Sequence, residues 1–367
     1  MKDVKRIVIK IGSAVIAPSN GTISPLIIQN LVNQISKLVK SGLQIVIVSS
    51  GAIASGLKQL NLNKPPKNIP QKQAFAAIGQ SYLIWTYERY FNKKNQKVAQ
   101  ILLTHDDLSN RQRYLNARNT MFTLLSFGVI PIINENDSVS VEEIKLGDND
   151  TLSALVTNMI EADLLMILSD VDGLYTVNPK EGSEGMLIPT VKNITPEIEK
   201  LAGRKKSEAG TGGMFTKIEA AKKAAASGAM TIIVNGSRKN IIAKVMKGEE
   251  VGTIFLPESK LKSRKYWIAF TLNPKGAVKV DNGAKKALID RGKSLLPSGI
   301  IETKGNFKPG DSISCIDLKG KEFARGLVNF HSKDLTKIEG CHTKEIEKIL
   351  GYKYYDEVIH RDNLVIL

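Results

Sequence analysis

RIVIKIGS, residues 6–13, reads as a buried strand running into a glycine turn. Ile7, Val8, Ile9 and Ile11 are β-branched and suit a pleated, covered surface. Lys2, Lys5 and Arg6 ahead of them have the look of a secretory signal, but Lys10 splits the apolar run, so the segment reads as a strand. Working outward, further strand-like runs recur at 43–49, 97–103, 129–133, 163–168, 231–234 and 252–256, separated by helical stretches at 25–41, 72–91, 110–127, 151–161 and 215–227. The clearest helix is 25–41: Ser24 stands at its N-cap, Pro25 in its first turn, Ile28, Leu31, Ile35 and Leu38 on one face, and Gly42 at its end. Alternating strands and helices predict an α/β fold, a largely parallel sheet sandwiched by helices.

The chain has 367 residues, enough for about two domains. With 42% hydrophobic and 24% charged residues, neither global disorder nor a fibrous repeat fits. Two cysteines, Cys315 and Cys341, are too few for a disulfide framework or a zinc cluster, and no run approaches the roughly 18 apolar residues of a membrane span, so a soluble, cytoplasmic protein is expected. The net charge of +16 divides into +9 over residues 1–260 and +7 over 261–367, which makes the latter part about twice as basic per residue. Such a field favours anionic partners, either nucleotide phosphates or nucleic acid. The texture changes after Pro257: a charged connector is followed by short segments separated by the turn signals DNG, PSG and KPGD, which predicts a small, mostly β domain. The division expected is 1–257 for the α/β domain, 258–274 for a linker, 275–353 for the β domain and 354–367 for a tail.

Polar clusters fall where the strands end: Lys10 to Ser13, Ser49 to Ala52, Asn134 to Asp137, and Ser169-Asp170 followed by Asp172-Gly173. Open α/β sheets bind ligands at such ends, and glycine there lets backbone approach a phosphate or carboxylate. One glycine turn alone reads as a structural turn and one strand-end lysine as a snorkelling surface residue. Four clusters together read as a binding site. Neither GxxxxGK[ST] nor a GxGxxG after a strand occurs. Instead GTGGMFTK, residues 210–217, opens a helix; it reads either as an anion site at that helix's amides or as a mobile linker with a solvated lysine.

KIGSAV (10–15), VSSGAIASG (48–56), NENDSV (134–139), GDND (147–150), LSDVDGLYTVNP (168–179) and GTGGMFTK (210–217) together resemble the amino acid kinase family, in its order and spacing. GDND and GTGGMxTK are similar to its glutamate-using branch. Asn178 stands where aspartate is common and Ser169 where threonine is usual. The resemblance implies transfer of the ATP γ-phosphoryl group to the side-chain carboxylate of glutamate, with Mg2+ on the ATP phosphates and no metal ligand named. It assigns Lys10 and Lys217 to the moving phosphoryl group and Asp150 to holding both lysines. Ser50, Gly51, Asn134, Asp137, Asp148 and Asn149 fall to the amino acid. ATP falls to Lys10, Gly12, Ser169, Asp170, Thr211, Gly212, Gly213, Met214, Phe215, Thr216 and Lys217, with amides around Gly12 and Gly51 receiving phosphoryl oxygens. Asp172 and Tyr175 are candidates for adenine or ribose contact, or for shaping a turn. The resemblance further implies a homo-oligomer, inhibition by proline at or near the glutamate site, and a partner, glutamate-5-semialdehyde dehydrogenase, that consumes the unstable acyl phosphate. The chemistry is consistent with the composition. A glutamate side-chain carboxylate ordinarily titrates at about 4.3, so it is already ionised at pH 7 and needs no general base. The only histidine before residue 330 is His105, expected as a structural or capping residue.

GAVKVDNGAKKALIDRGKSLLPSGI (276–300), GNFKPGDSISCID (305–317) and KEFARGLVNF (321–330) resemble a PUA domain, a small barrel named from RNA-modifying enzymes. Lys285, Lys286, Arg291, Lys293 and Arg325 are the residues expected to meet RNA phosphates, although aromatics for base stacking are sparse. The rival readings are another kinase of the family, acting on aspartate, acetylglutamate or a nucleoside monophosphate, and an RNA-binding or RNA-modifying protein whose first domain is accessory.

Overall fold

A computed structural model describes residues 1, 3–18, 23–62, 66–139, 149–177, 185–203, 213–257 and 263–367. The chain forms two compact units, Met1–Lys260 and Leu261–Leu367. In the first, β1 (Arg6–Ile11), β2 (Gln44–Ser49), β3 (Val98–Leu103), β4 (Ile130–Glu135), β5 (Leu164–Ser169), β6 (Thr190–Val191), β7 (Met230–Asn235) and β8 (Thr253–Phe255) make one sheet in the order β3-β4-β2-β1-β5-β7-β8-β6. All pairings are parallel except β7 with β8. β1 therefore lies where the chain turns to β2 on one side and to β5 on the other, the switch point at which such sheets open a crevice at their carboxyl ends. Ile7, Val8, Ile9 and Ile11, and every residue of β5, are buried.

The helix Pro25–Lys40 buries Ile28, Leu31 and Ile35 as its spacing predicts, with Pro25 in its first turn. Ser24 holds the N-cap position, but its side chain makes no capping bond. The helix Ile69–Asn92 starts three residues earlier than the periodicity suggests, because Asn68 caps it by accepting from the Gln71 amide.

A helix at Ala52–Gln59 has no counterpart in the sequence reading. A glycine in the middle of an eight-residue stretch gives weak helix propensity, and the element is held by docking on Ile69–Asn92. The two backbones nearly touch: a Cβ on Gly56 would lie 2.0 Å from the Phe75 carbonyl oxygen, and one on Gly79 would lie 1.9 Å from the Ala52 carbonyl oxygen. Gly56→Ala is therefore expected to destabilise the chain by about 3 kcal/mol, since backbone cannot yield as a side chain does. A lowered denaturation midpoint with unchanged slope is the measurement; an unchanged midpoint contradicts the packing.

In the second unit, β9 (Gly276–Val280), β10 (Ile300–Gly305), β11 (Ser312–Ile316), β12 (Glu322–Leu327) and β13 (Leu364–Ile366) form a sheet in the order β10-β9-β11-β12-β13. Only β9 and β11 pair in parallel. Val278, Val280, Ile313, Phe307, Phe323 and Cys315 centre its core, and burial pushes the Cys315 thiol up to about 12. Both cysteines are free. Residues 258–274, expected as a linker, contain the helix Ser263–Phe270, whose Tyr266, Trp267 and Ile268 are buried, and the expected tail supplies β13. Charge conceals the apolar side of the former; three residues are too few to read as a strand in the latter.

Candidate active site

Three elements converge at the carboxyl end of β1. The strand itself carries Lys10. The helix Asn149–Met159, buried along nearly its whole length, packs over β1 and begins with Asn149 and Asp150. The helix Met214–Ala226 lies against that helix and β7 and contributes Thr216 and Lys217. Asp150 is 1% exposed, Lys217 5% and Lys10 7%. Asp150 Oδ1 stands 2.5 Å from Lys10 Nζ; Oδ2 stands 3.2 Å from Lys217 Nζ and accepts the Thr216 hydroxyl at 2.8 Å. One carboxylate thus bridges two ammonium groups. Burial by itself raises the Asp150 pKa; Lys10 and Lys217, with hydrogen bonds from Lys10 and Thr216, outweigh it and hold the carboxyl at about 2. Its place in the first turn of a helix also favours the anion. The cluster carries net charge +1 and is suited to an anion.

Beside it lies a chain of amides. Asn149 Nδ2 donates to Asn134 Oδ1 and to Ser50 Oγ, both at 2.9 Å, and Asn134 Nδ2 donates to Gln80 Oε1 at 2.9 Å. Asn149 Oδ1 is buried without a hydrogen-bond partner. Because Asn149 and Asp150 are adjacent in one helical turn, the amide chain and the lysine pair are neighbours.

The other sequence-predicted residues take varied places. Gly12 abuts Lys10: a Cβ there would lie 3.7 Å from Lys10 Nζ and 3.2 Å from the Leu168 carbonyl oxygen. Its own amide donates to Leu168, so it is not a free phosphate donor; the Ser50 amide is likewise taken, by Ile11. Gly51, with φ +107°, turns β2 into the helix Ala52–Gln59. Asp137 is half-buried in the turn after β4. Ser169, buried at the end of β5, donates to Asp170, which is exposed. Gly213 caps the helix whose first turn holds Met214, Phe215 and Thr216. Asp148, Thr211 and Gly212 lie outside the described residues. Asp172 is held by a two-point pair with Arg238, at 2.7 Å for each contact, which together with the nearby Tyr175 hydroxyl shapes the turn after β5. At 105–109 the cap is Thr104, which exchanges hydrogen bonds with Asp107; His105 is the first residue inside the helix. Gln80 and Tyr87, whose hydroxyl lies 3.0 Å from Ser49 Oγ, carry no sequence signal: each is one polar residue on a long helix.

In the second unit Lys285 is paired with Asp317 at 2.8 Å, and Arg325 with Glu322 and the Ala269 carbonyl. Lys286, Arg291 and Lys293 are exposed. A cavity of about 280 Å³ is lined by Lys265, Lys293, Arg361 and Asp362 among apolar residues that include Leu288 and Leu364.

Sheet order and strand-end chemistry together define the class, and the chain belongs to the amino acid kinase family, whose profile matches residues 5–235. The PUA domain profile matches residues 276–350. More particularly, the chain is 53% identical over 368 residues to the glutamate 5-kinase of Geobacter sulfurreducens, covering 100% of this chain and 99% of that one. It is 51% identical over 363 residues to the glutamate 5-kinase of Thermoanaerobacter sp. (strain X514), covering 99% of this chain and 98% of that one. A solved structure of carbamate kinase from Giardia lamblia bound to AMP-PNP aligns with a TM-score of 0.50 at 19% identity over 70% of this chain and all of that one, a likeness of fold. No helix among the described residues is long and apolar enough to cross a membrane.

Proposed function

We propose that this chain transfers the γ-phosphoryl group of ATP to the γ-carboxylate of L-glutamate, giving L-glutamyl 5-phosphate, the first step from glutamate toward proline. One observation carries the reading: Asp150 holds two buried lysine ammonium groups side by side at the switch point of the sheet. Two anionic reactants must approach, and no proton has to be removed, so charge cancellation is the main requirement. Lys10 and Lys217 contact the moving phosphoryl group and its bridging oxygens, and Asp150 keeps their spacing. Asn149, Asn134 and Ser50 bind the amino acid, with Asp137, Asp148 and Gly51. Ser169, Asp170 and the 211–217 segment bind ATP. Among the described residues no three His, Cys, Asp or Glu side chains converge on a metal position. Asp150 is shared by two cations, so Mg2+ would be held by phosphate oxygens and water, as that ion commonly is. There it would neutralise phosphate charge.

A cytoplasmic homo-oligomer, inhibited by proline and served by glutamate-5-semialdehyde dehydrogenase, belongs to the same reading. RNA is a second reading for the PUA unit, favoured by the cavity lined with Lys265, Lys293 and Arg361. The deciding assay supplies ATP, Mg2+ and hydroxylamine and measures the coloured hydroxamate. Colour with glutamate is expected. Colour with aspartate alone moves the chain to another kinase of the family, and absence of nucleotide turnover favours the RNA-centred reading.

A further inference from the structure

Gln80 reaches the site through packing. The close contact of Gly56 with Phe75, and of Gly79 with Ala52, holds the helix Ile69–Asn92 against the helix Ala52–Gln59, which follows directly from the carboxyl end of β2. The residue after Gly79 then meets β4, where Gln80 Oε1 accepts from Asn134 Nδ2. A carboxamide has one donating and one accepting end. With its nitrogen engaged on Gln80, Asn134 turns its oxygen to Asn149 Nδ2. Asn149 in turn keeps its oxygen outside the chain, and that oxygen is the buried atom without a partner. An orphaned buried acceptor is costly and calls for a donor. If Asn134 were reversed, its nitrogen would oppose Asn149 Nδ2, which also reaches the Ser49 carbonyl at 3.4 Å, and Asn149 would relieve the clash only by turning its oxygen inward and offering nitrogen to the site.

We infer that Gln80 is a positioning residue for the amino-acid substrate: through Asn134 it orients the Asn149 carboxamide so that an oxygen acceptor is offered to the α-ammonium group. This rests on the proposed glutamate reading. It makes a free α-amino group, rather than an acylated one, the preferred ligand of that end of the site, because an ammonium group donates only.

The test is steady-state kinetics of the full chain by the hydroxamate assay. Gln80→Met keeps the shape and helix propensity but removes the acceptor. Its glutamate KM is expected to rise about tenfold, with kcat and the ATP KM within about twofold, the pattern of lost ground-state binding. Partial unfolding lowers kcat and leaves KM unmoved, so the split separates positioning from stability; Gln80→Leu serves if the methionine variant is not recovered folded. Gln80→Glu keeps an acceptor at the same atom and is expected to stay within about threefold of the wild-type KM. Since Gln80 acts through Asn134, combining Gln80→Met with Asn134→Ala should cost no more than Asn134→Ala alone. An unchanged KM in Gln80→Met, equal losses in the methionine and glutamate variants, or additive losses in the double variant overturns the inference while wild-type turnover of glutamate leaves the proposed function standing. A wild-type chain that makes hydroxamate only from another acceptor overturns both.

Discussion

Lys10→Met and Lys217→Met are each expected to lower kcat about 10³-fold, roughly 4 kcal/mol at the barrier, with smaller changes in either KM. The phosphoryl group carries its charge on oxygens that meet these ammonium groups most closely in the transition state, so losing one removes stabilisation made chiefly there. Methionine fills the volume of the lysine stem, and the remaining lysine still pairs with Asp150, so folding should be largely kept. Substitution by arginine is not expected to restore the rate: a planar fork cannot stand where a compact ammonium group lies 2.5 Å from Asp150 Oδ1 beside a glycine with no Cβ. Hydroxamate formation under saturating ATP and glutamate is the measurement. Near wild-type turnover by either variant would remove the lysine pair from the mechanism.

Asp150→Asn should weaken both activity and folding. The substitution is nearly isosteric, yet it leaves two positive charges facing each other in a buried place without their shared counter-charge. Breaking a buried ion pair this way costs about 3–5 kcal/mol of stability. The lysines separate, and kcat is expected to fall about 10²-fold through misplacement. The carboxyl pKa of about 2 lies below its unfolded value, so its stabilisation is complete above about pH 4 and lost as pH falls toward 2. The stability gap between wild type and Asp150→Asn should accordingly be constant from about pH 5 to 8 and close only in acid. Chemical denaturation at several pH values measures it. A gap that closes near neutrality would show that the carboxylate is not held by the two lysines.

Much of the first unit is legible in the residues alone. β1 begins at Arg6 and ends at Ile11 as read from RIVIKI, and the other main strands differ from the reading by one or two residues at their ends. Buried parallel strands are short apolar runs, so their limits show in composition. Lys10, Asp150 and Lys217 are reached through the family resemblance, their agreement in order and spacing being more specific than any one of them alone. Elements whose stability comes from docking are less legible: Ala52–Gln59 depends on a helix beginning ten residues later, and Ser263–Phe270 hides its buried aromatic residues within a basic stretch. The amide chain is half visible. Asn134 and Asn149 lie in recognisable motifs, but Gln80 lies in none.

Periodicity and residue type involve near neighbours along the chain, and so the order of residues suffices for the α/β class, the strand positions and the kinds of group that crowd the strand ends. Which groups touch depends on how closely whole elements approach. Asn134 stands 54 positions from Gln80, and their hydrogen bond exists where two glycines let the helix that carries Gln80 meet its neighbour backbone to backbone. Lys10 and Lys217 share one carboxylate because a parallel sheet sets β1 beneath two helices from distant parts of the chain. Such distances belong to the closed core, since they are fixed by packing between elements and not by the succession of residues within any one of them.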